Sequence, residues 1–303
     1  TSGNSFRSTT ADQYAGVTPD EVEDPRIWAE IIRQWSTLHP EFSFLPRKFK
    51  FAVTGSARDR AAVRFHDIGL IVKRNSDGDL GFEVLVGGGQ GRTPMIAKTI
   101  RRFVPERHLL SYLDAILRIY NLLGRRDNKY KARIKILVHE LGIDELSGLV
   151  ESEWERIRDS ELQLPSDEVA RIAGYFVPPP YVAFDETDLA KDAAALHARR
   201  AAEPAFEHWI GNNTVAHKQP GYAIVNLSLK PVGGVPGDLT ADQMDAVADL
   251  AETYSFDELR VSHEQNLIFA DVRRSELHEL WLELDELGLA TPNIGHMGDI
   301  IAC

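Results

Sequence analysis

The sequence predicts an α+β protein, and three features predict it. Residues 47–54 alternate apolar and polar side chains as a strand does. The stretch IGLIVKRNSDGDLGFEVLVGG, residues 68–88, then sets two apolar runs around an Asn-Ser-Asp-Gly-Asp turn, the signature of a β-hairpin. Residues 106–123 instead carry Leu109, Leu113, Ile116, Tyr120 and Leu123 at helical spacing and stop at Gly124. After Pro220 strand-like and helix-like segments follow one another again.

The chain of 303 residues is long enough for two or three compact units with cores of their own. Its 43% apolar and 26% charged residues are ordinary for a folded protein. A net charge of −12 and a pI near 5.3 argue against general nucleic-acid binding. No window has the apolar length of a membrane helix, and no secretory signal precedes the first element. The one cysteine, Cys303, excludes internal disulfides and points to a reducing, cytoplasmic compartment. Beginning at Thr1 in a polar stretch and ending at Cys303, the chain reads as an internal fragment.

In order along the chain, residues 1–23 read as polar and irregular. Asp24-Pro25 supplies an N-cap and a first-turn proline, and Ile27, Ile31, Trp35 and Leu38 mark the buried stripe of a helix that stops before Pro40. The strand at 47–54 places Phe49, Phe51 and Val53 on one face and Lys48 and Lys50 together on the other. Beyond the hairpin, Thr93 and Pro94 are read as cap and first turn of a further helix; two more are placed at 129–141 and 144–158. Residues 151–210 turn acidic, with 13 Asp and Glu against 6 Lys and Arg, and contain Pro178-Pro179-Pro180, a helical excursion with a linker. YAIVNLSLK is a strand, Thr240 and Gln243 form a capping box, ELRVSHEQNLIFADV is a second strand and RSELHELWLELDELG a second helix. This β-α-β-α unit has the size of half or all of a ferredoxin-like layer.

Cations gather in three places despite the acidic total. Residues 45–60 carry net +4; residues 87–102 carry Arg92, Lys98, Arg101 and Arg102 and no acid; residues 121–136 carry net +5. Two ammonium groups on one strand face repel unless they project into water or meet an anion. The lysines are therefore either a wet strand face or part of an anion site. Gly87, Gly88 and Gly89 before a helix start are either an anion cradle or a tight turn, and they match neither the P-loop nor the dinucleotide spacing. Arg126, Lys129 and Arg133 at helical spacing form one cationic stripe, either solvated or ligand-binding. Ten histidines offer no metal spacing, and strand alternation puts His263 and Gln265 on one face, at a ligand or at the surface.

Taken together, LPRKFK, VGGGQGRTP, GRRDNKYKARIKILVHELG, RVSHEQNLI and the final DIIAC resemble the sirohaem-dependent sulfite and nitrite reductases, above all the bacterial assimilatory sulfite reductase haemoprotein. The resemblance runs over nearly the whole chain and covers the middle of the family's sequence. It implies a mixed-sheet sirohaem-binding domain over residues 1–160, an acidic helical excursion and linker over 161–218, a ferredoxin-like half-domain over 219–288, and the start of the cluster domain over 289–303. The implied cofactors are sirohaem and a [4Fe-4S] cluster. Cys303 corresponds to the first of the family's four cysteine ligands, so this chain supplies one of the four.

By the same resemblance Lys48, Lys50 and Arg7 face the substrate anion, Arg133 and Lys135 meet the haem carboxylates, and Gln265 and Asn266 line the cofactor. Gly87, Gly88, Gly89 and Arg92 lie along the macrocycle edge. Relatives commonly read Cys and then Arg-Asn-Val around the upstream arginine, where this sequence has Ser5 and Arg7-Ser8-Thr9. The implied reaction is six-electron reduction of sulfite to sulfide, with nitrite reduction to ammonia as the alternative. The Lys-x-Lys strand goes with sulfite, whereas plant-type nitrite reductases tend to carry asparagine at the second position. The implied electron donor is ferredoxin or a flavoprotein. Two other classes remain beside it: a non-catalytic tetrapyrrole-binding fragment, and an unrelated anion- or RNA-binding protein whose basic runs track phosphates.

Overall fold

The computed structural model describes residues 3–301; Cys303, assigned above to a cluster, lies outside them. The chain forms two compact units. The first holds residues up to 16 and 20–177, the second residues 17–19 and those from 178 onward.

In the first unit a mixed five-stranded sheet runs in the order β1 (Phe6–Ala11), β2 (Phe49–Thr54), β3 (Ile68–Arg74), β4 (Leu80–Val86), β5 (Lys98–Pro105). The first three strands are parallel, and β3-β4-β5 is an antiparallel meander. Between β1 and β2 the chain crosses over through α1 (Pro25–Ser36), whose N-cap Asp24 accepts from the Arg26 amide, with proline at the first turn. Trp28 of α1 is fully buried and meets Phe82 of β4 edge-on at 5.0 Å. Helix α2 (Leu109–Leu123) is apolar on nearly every side and lies in the core, its Tyr120 ring 5.3 Å from Phe49. Helix α4 (Ile143–Ile157) packs on α2 through Leu146, Val150 and Trp154, spaced four apart on one face. The short α3 (Ile134–Leu141) precedes it, and α5 (Ser166–Ala173) adds Ile172 to the same core. On the sheet's other face a small cluster of Ala52, Ala61, Val63, Leu85 and Ala97 packs tightly.

The second unit begins with α6 (Glu186–Ala202) and α7 (Pro204–Asn213). A four-stranded antiparallel sheet follows, ordered β6 (Thr214–Ala216), β7 (Tyr222–Ser228), β9 (Asn266–Arg273), β8 (Leu259–Val261). Helix α8 (Ala241–Tyr254) joins β7 to β8 and carries both bonds of the expected capping box, Thr240 with Gln243. Helix α9 (Leu277–Glu286) follows β9, and the core lies around Phe206, Trp209, Phe269, Leu280 and Trp281.

Several expectations are corrected. Residues 1–23 are not wholly irregular, because Phe6–Ala11 is a strand; its apolar content is low, and its Phe6 packs on Phe42, Phe49 and Phe51, stacking on the last at 4.6 Å. Leu38 is not part of the α1 stripe: it follows the helix, has φ +61° and is 93% exposed. No helix begins at Thr93-Pro94. Those residues sit in an exposed excursion bridged by Gly89 and Met95, and the chain then extends as β5 because β4 offers a free edge. Helix α3 starts at Ile134 rather than 129, so Arg126 and Lys129 are not on a helix and no stripe with Arg133 exists. Arg126 instead bonds the carbonyls of Phe44 and Asn121, and Arg125 pairs with Asp127. The stretch 258–272 is two strands, with a turn ending at Gln265, φ +60°; the half-domain is therefore β-α-β-β-α, not β-α-β-α.

Thr240→Ala, which removes a real cap, is expected to cost about 1 kcal/mol of unfolding free energy, read as a lower urea midpoint at unchanged m-value. Thr93→Ala is expected to stay within about 0.5 kcal/mol of the parent. A Thr93→Ala loss as large as that of Thr240→Ala in the same melts would contradict the extended excursion.

Candidate functional site

The apolar half of β2 is fixed by burial of Phe49, Phe51 and Val53, which commits the intervening Lys50 to the opposite, exposed side. Lys48, one residue before the strand, is half-buried. Strand β1 runs beside it with Phe6 opposite Phe49 and Ser8 opposite Lys50; the register slips by one residue at Arg7. The Arg7 guanidinium donates to the Gly3 carbonyl from Nε at 3.2 Å and Nη2 at 3.0 Å.

Electrostatics joins these groups. Burial pushes the Lys48 ammonium below its ordinary pKa, and the charges of Arg133, Arg7, Lys50 and Arg47 push it down further. Four cations thus act on a fifth. A cluster of this kind holds an excess of positive potential that an anion relieves, and it eases the loss of a proton from Lys48 at neutral pH.

Arg133 is brought to the cluster by an acid that sequence reasoning missed. Asp67, just before β3, is wholly buried. Its Oδ1 accepts from Arg133 Nε at 2.8 Å and Nη2 at 2.6 Å, and its Oδ2 accepts from the Lys50 backbone amide at 3.0 Å. Its own carbonyl accepts from the Gly87 amide at 2.9 Å. Burial pushes the Asp67 carboxyl up to about 6, against the pull of Arg133, of the Lys50 amide and of Lys135. The signal in sequence was slight: one aspartate abutting an apolar strand, where a buried charge needs a partner.

The glycine run is a tight turn packed on its neighbours. A Cβ on Gly88 would lie 2.4 Å from the Arg64 carbonyl and 2.6 Å from that of His66, and one on Gly87, φ +87°, would strike Val138 of α3. Lys135 is buried beneath the turn. Its Nζ donates to the carbonyls of Thr93 at 2.6 Å, Gln90 at 2.9 Å and Gly89 at 3.4 Å, so its ammonium faces the turn. Arg92 projects from the exposed tip of the excursion.

Gln265 and Asn266 belong to the second unit. Gln265 is half-buried in the turn before β9. Asn266 is buried, accepting from Lys230 Nζ at 3.0 Å and donating to Asp299 Oδ1 at 2.9 Å. Lys230 and Asp299 pair directly at 2.5 Å. Sequence reasoning passed over Lys230 as a strand-ending lysine. A second buried polar group there is His217, whose Nε2 lies 3.0 Å from Asp271 Oδ1, to which the Tyr181 hydroxyl donates at 2.6 Å. Among the described residues no group of three His, Cys, Asp or Glu could hold a metal ion, and no helix is long and apolar enough to cross a membrane.

A family model described as the nitrite and sulphite reductase 4Fe-4S domain matches residues 2–158, and one described as the nitrite/sulfite reductase ferredoxin-like half domain matches residues 217–287. The chain is 30% identical over 285 residues to the chloroplastic ferredoxin–nitrite reductase of Arabidopsis thaliana, covering 92% of this chain and 42% of that protein. It is 26% identical over 305 residues to the sulfite reductase (ferredoxin) 1 of Mycolicibacterium paratuberculosis, covering 99% and 46%. Among solved structures, the Mycobacterium tuberculosis NirA protein superposes with a TM-score of 0.68 at 25% identity, covering 96% of this chain and 45% of that one. The chain thus spans less than half the length of these curated relatives.

Two outcomes are expected from this geometry. Gly88→Ala should cost about 1–3 kcal/mol of unfolding free energy, because its Cβ meets two backbone carbonyls that cannot yield; a parent-like denaturation curve would contradict the packed turn. Folding also leaves Asp67 with a higher pKa than the unfolded chain's 3.8, so its contribution to stability is full below that value and is lost as pH rises through about 6. The difference in unfolding free energy between parent and Asp67→Asn, followed from pH 4 to 7 by urea titration, should carry this slope. A difference independent of pH would show that the carboxyl is not perturbed.

Proposed function

Because the chain belongs to the nitrite and sulphite reductase family, we propose that it forms the substrate-side cation cluster of a reductase acting on a small oxyanion, with sulfite reduced to sulfide. The observation that carries this reading is the depressed Lys48, held among Arg133, Arg7, Lys50 and Arg47. Lys50 favours sulfite: a dianion gains more from an additional cation than nitrite does. Nitrite is the second reading, favoured by the name of the Arabidopsis relative.

The residues present fit one implied cofactor and not the other. Sirohaem is edged with carboxylates, and the cluster, together with the exposed Arg92, offers the cations such an edge needs. When bound, sirohaem supplies the iron at which the oxyanion is reduced. A 4Fe-4S cubane takes four ligands, normally thiolates; this chain contains one cysteine, Cys303, so the chain alone does not supply that donor set.

The protein's own part is then electrostatic and protonic. Lys50 and Arg7 neutralise the oxyanion, and their fixed charges stabilise the negative charge that builds as S–O or N–O bonds break. Lys48, already inclined to give up its proton, serves as the donor to the departing oxygen. Ferredoxin is the electron donor proposed here, as in the names of the relatives.

Lys48→Ala and Lys50→Ala, in the holoenzyme that contains this chain, should each lower sulfite turnover on the order of 10²-fold while leaving the sirohaem spectrum intact. Turnover is read with reduced methyl viologen as sulfide or ammonia formed. Near-normal turnover in both variants would reduce the lysines to a wet strand face, and faster nitrite turnover at matched low substrate would reverse the choice of substrate.

A further inference from the structure

The cation cluster poses a mechanical problem. Arg133, Lys48, Lys50, Arg7 and Arg47 repel one another, and the flexible four-carbon stems of the lysines would let them separate. Something must hold the like charges close. Among the described residues, the group with the reach to do so is Asp67, which is wholly buried and whose two carboxylate oxygens are divided between two stretches of chain. Oδ1 takes both donors from the Arg133 fork, and Oδ2 takes the backbone amide of Lys50. The Asp67 carbonyl adds a third stretch through the Gly87 amide.

We infer that Asp67 is the positioning residue of the cluster: one buried carboxylate holds Arg133 beside the lysine strand and sets where Lys48 and Lys50 enter the site. The inference rests on reading the cluster as an oxyanion site. Asp67 itself touches no substrate; it acts through Arg133 and through the β2 backbone. The charged and titratable groups facing it are Arg133, the N-cap of α3, Lys135 from α3 and Tyr120 from α2, whose hydroxyl donates to the Ala132 carbonyl at 2.8 Å and is held protonated by burial and by the Asp67 charge; β2 reaches it through the Lys50 backbone amide.

Asparagine at this position is a discriminating substitution. It has one oxygen where two are used, and its amide nitrogen must face either the Lys50 amide or the Arg133 guanidinium, donor against donor. The strand amide cannot withdraw, so Arg133 is the group released. In the chain with reductively 13C-methylated lysines, NMR titration of Lys48 reads the result. Release of Arg133 removes the largest charge pressing on Lys48, so the Lys48 pKa should rise in Asp67→Asn, and the Asp67→Asn/Arg133→Gln double variant should match Arg133→Gln alone. A merely structural ion pair predicts the opposite: with Arg133 still in place and a negative charge gone, the Lys48 pKa would fall or stay put, and either result overturns the inference.

If Asp67→Asn does not fold, the parent chain decides. Its Arg133 Nε–H resonance should be protected from exchange above pH 6 and lose that protection as the Asp67 carboxyl takes up its proton. An Arg133 Nε–H that exchanges rapidly at every pH would overturn the inference equally. Neither reading needs cofactor or substrate, so a failed reductase assay would sink the proposed function and leave these measurements to decide the role of Asp67.

Discussion

The first unit is organised around a negative charge buried beneath a positive surface. Asp67 lies where three stretches distant in sequence converge: the lysine strand, the start of α3 and the glycine turn. Each donates a hydrogen bond to it, and the lysine strand and the start of α3 carry cations that would otherwise repel one another. A carboxylate taken out of water is costly unless fully paired. The same cost makes the arrangement specific, because any slip of β2, α3 or the turn leaves a buried oxygen without its donor. The raised pKa of the carboxyl reflects that cost, burial outweighing the attraction of Arg133.

Around this centre the polar groups that face inward are tied to backbone. Lys135 closes the turn from below by gathering three carbonyls on one ammonium. The glycines are there because no side chain fits: Gly87 lies against Val138, and Gly88 against the carbonyls of Arg64 and His66. The cations that face outward keep their charge available. Lys50 and Arg92 are exposed, and Lys48 is half-buried among like charges. Inner cations are tied to backbone or to Asp67, and the outer ones lie at the surface. The second unit repeats the device with Lys230, Asn266 and Asp299, a buried polar network at one end of β9.

Much of this was legible in the chain. Phe49, Phe51 and Val53 determined the face of β2 and with it the exposure of Lys50, since alternation is enforced by burial of aromatic rings. Asp24-Pro25 and Thr240 with Gln243 started helices where local capping chemistry said they would. The resemblance placed Lys48, Lys50 and Arg7 at the substrate anion and Arg133 at the haem carboxylates; that the charge of Arg133 also bears on Lys48 came only from the fold. Less was legible where a segment lacks an amphipathic pattern of its own. The excursion before β5 carries Thr93-Pro94, which suit a helix start, and the chain beyond it extends along the open edge of β4. The turn at Ser262–Gln265 hides within a run of strand-forming residues.

By itself, then, the sequence determined the α+β class, most of the helices, the hairpin and the identity of the cations, because these follow from periodicity, capping and charge within a few residues of chain. Tertiary structure alone decided which cations are paired inside the fold and which are left at its surface. That choice turns on partners 45 or 66 residues away, as with Lys135 under the turn and Arg133 on Asp67. Charge is written into each residue, but its availability is decided by which oppositely charged or polar group the fold brings within hydrogen-bonding distance.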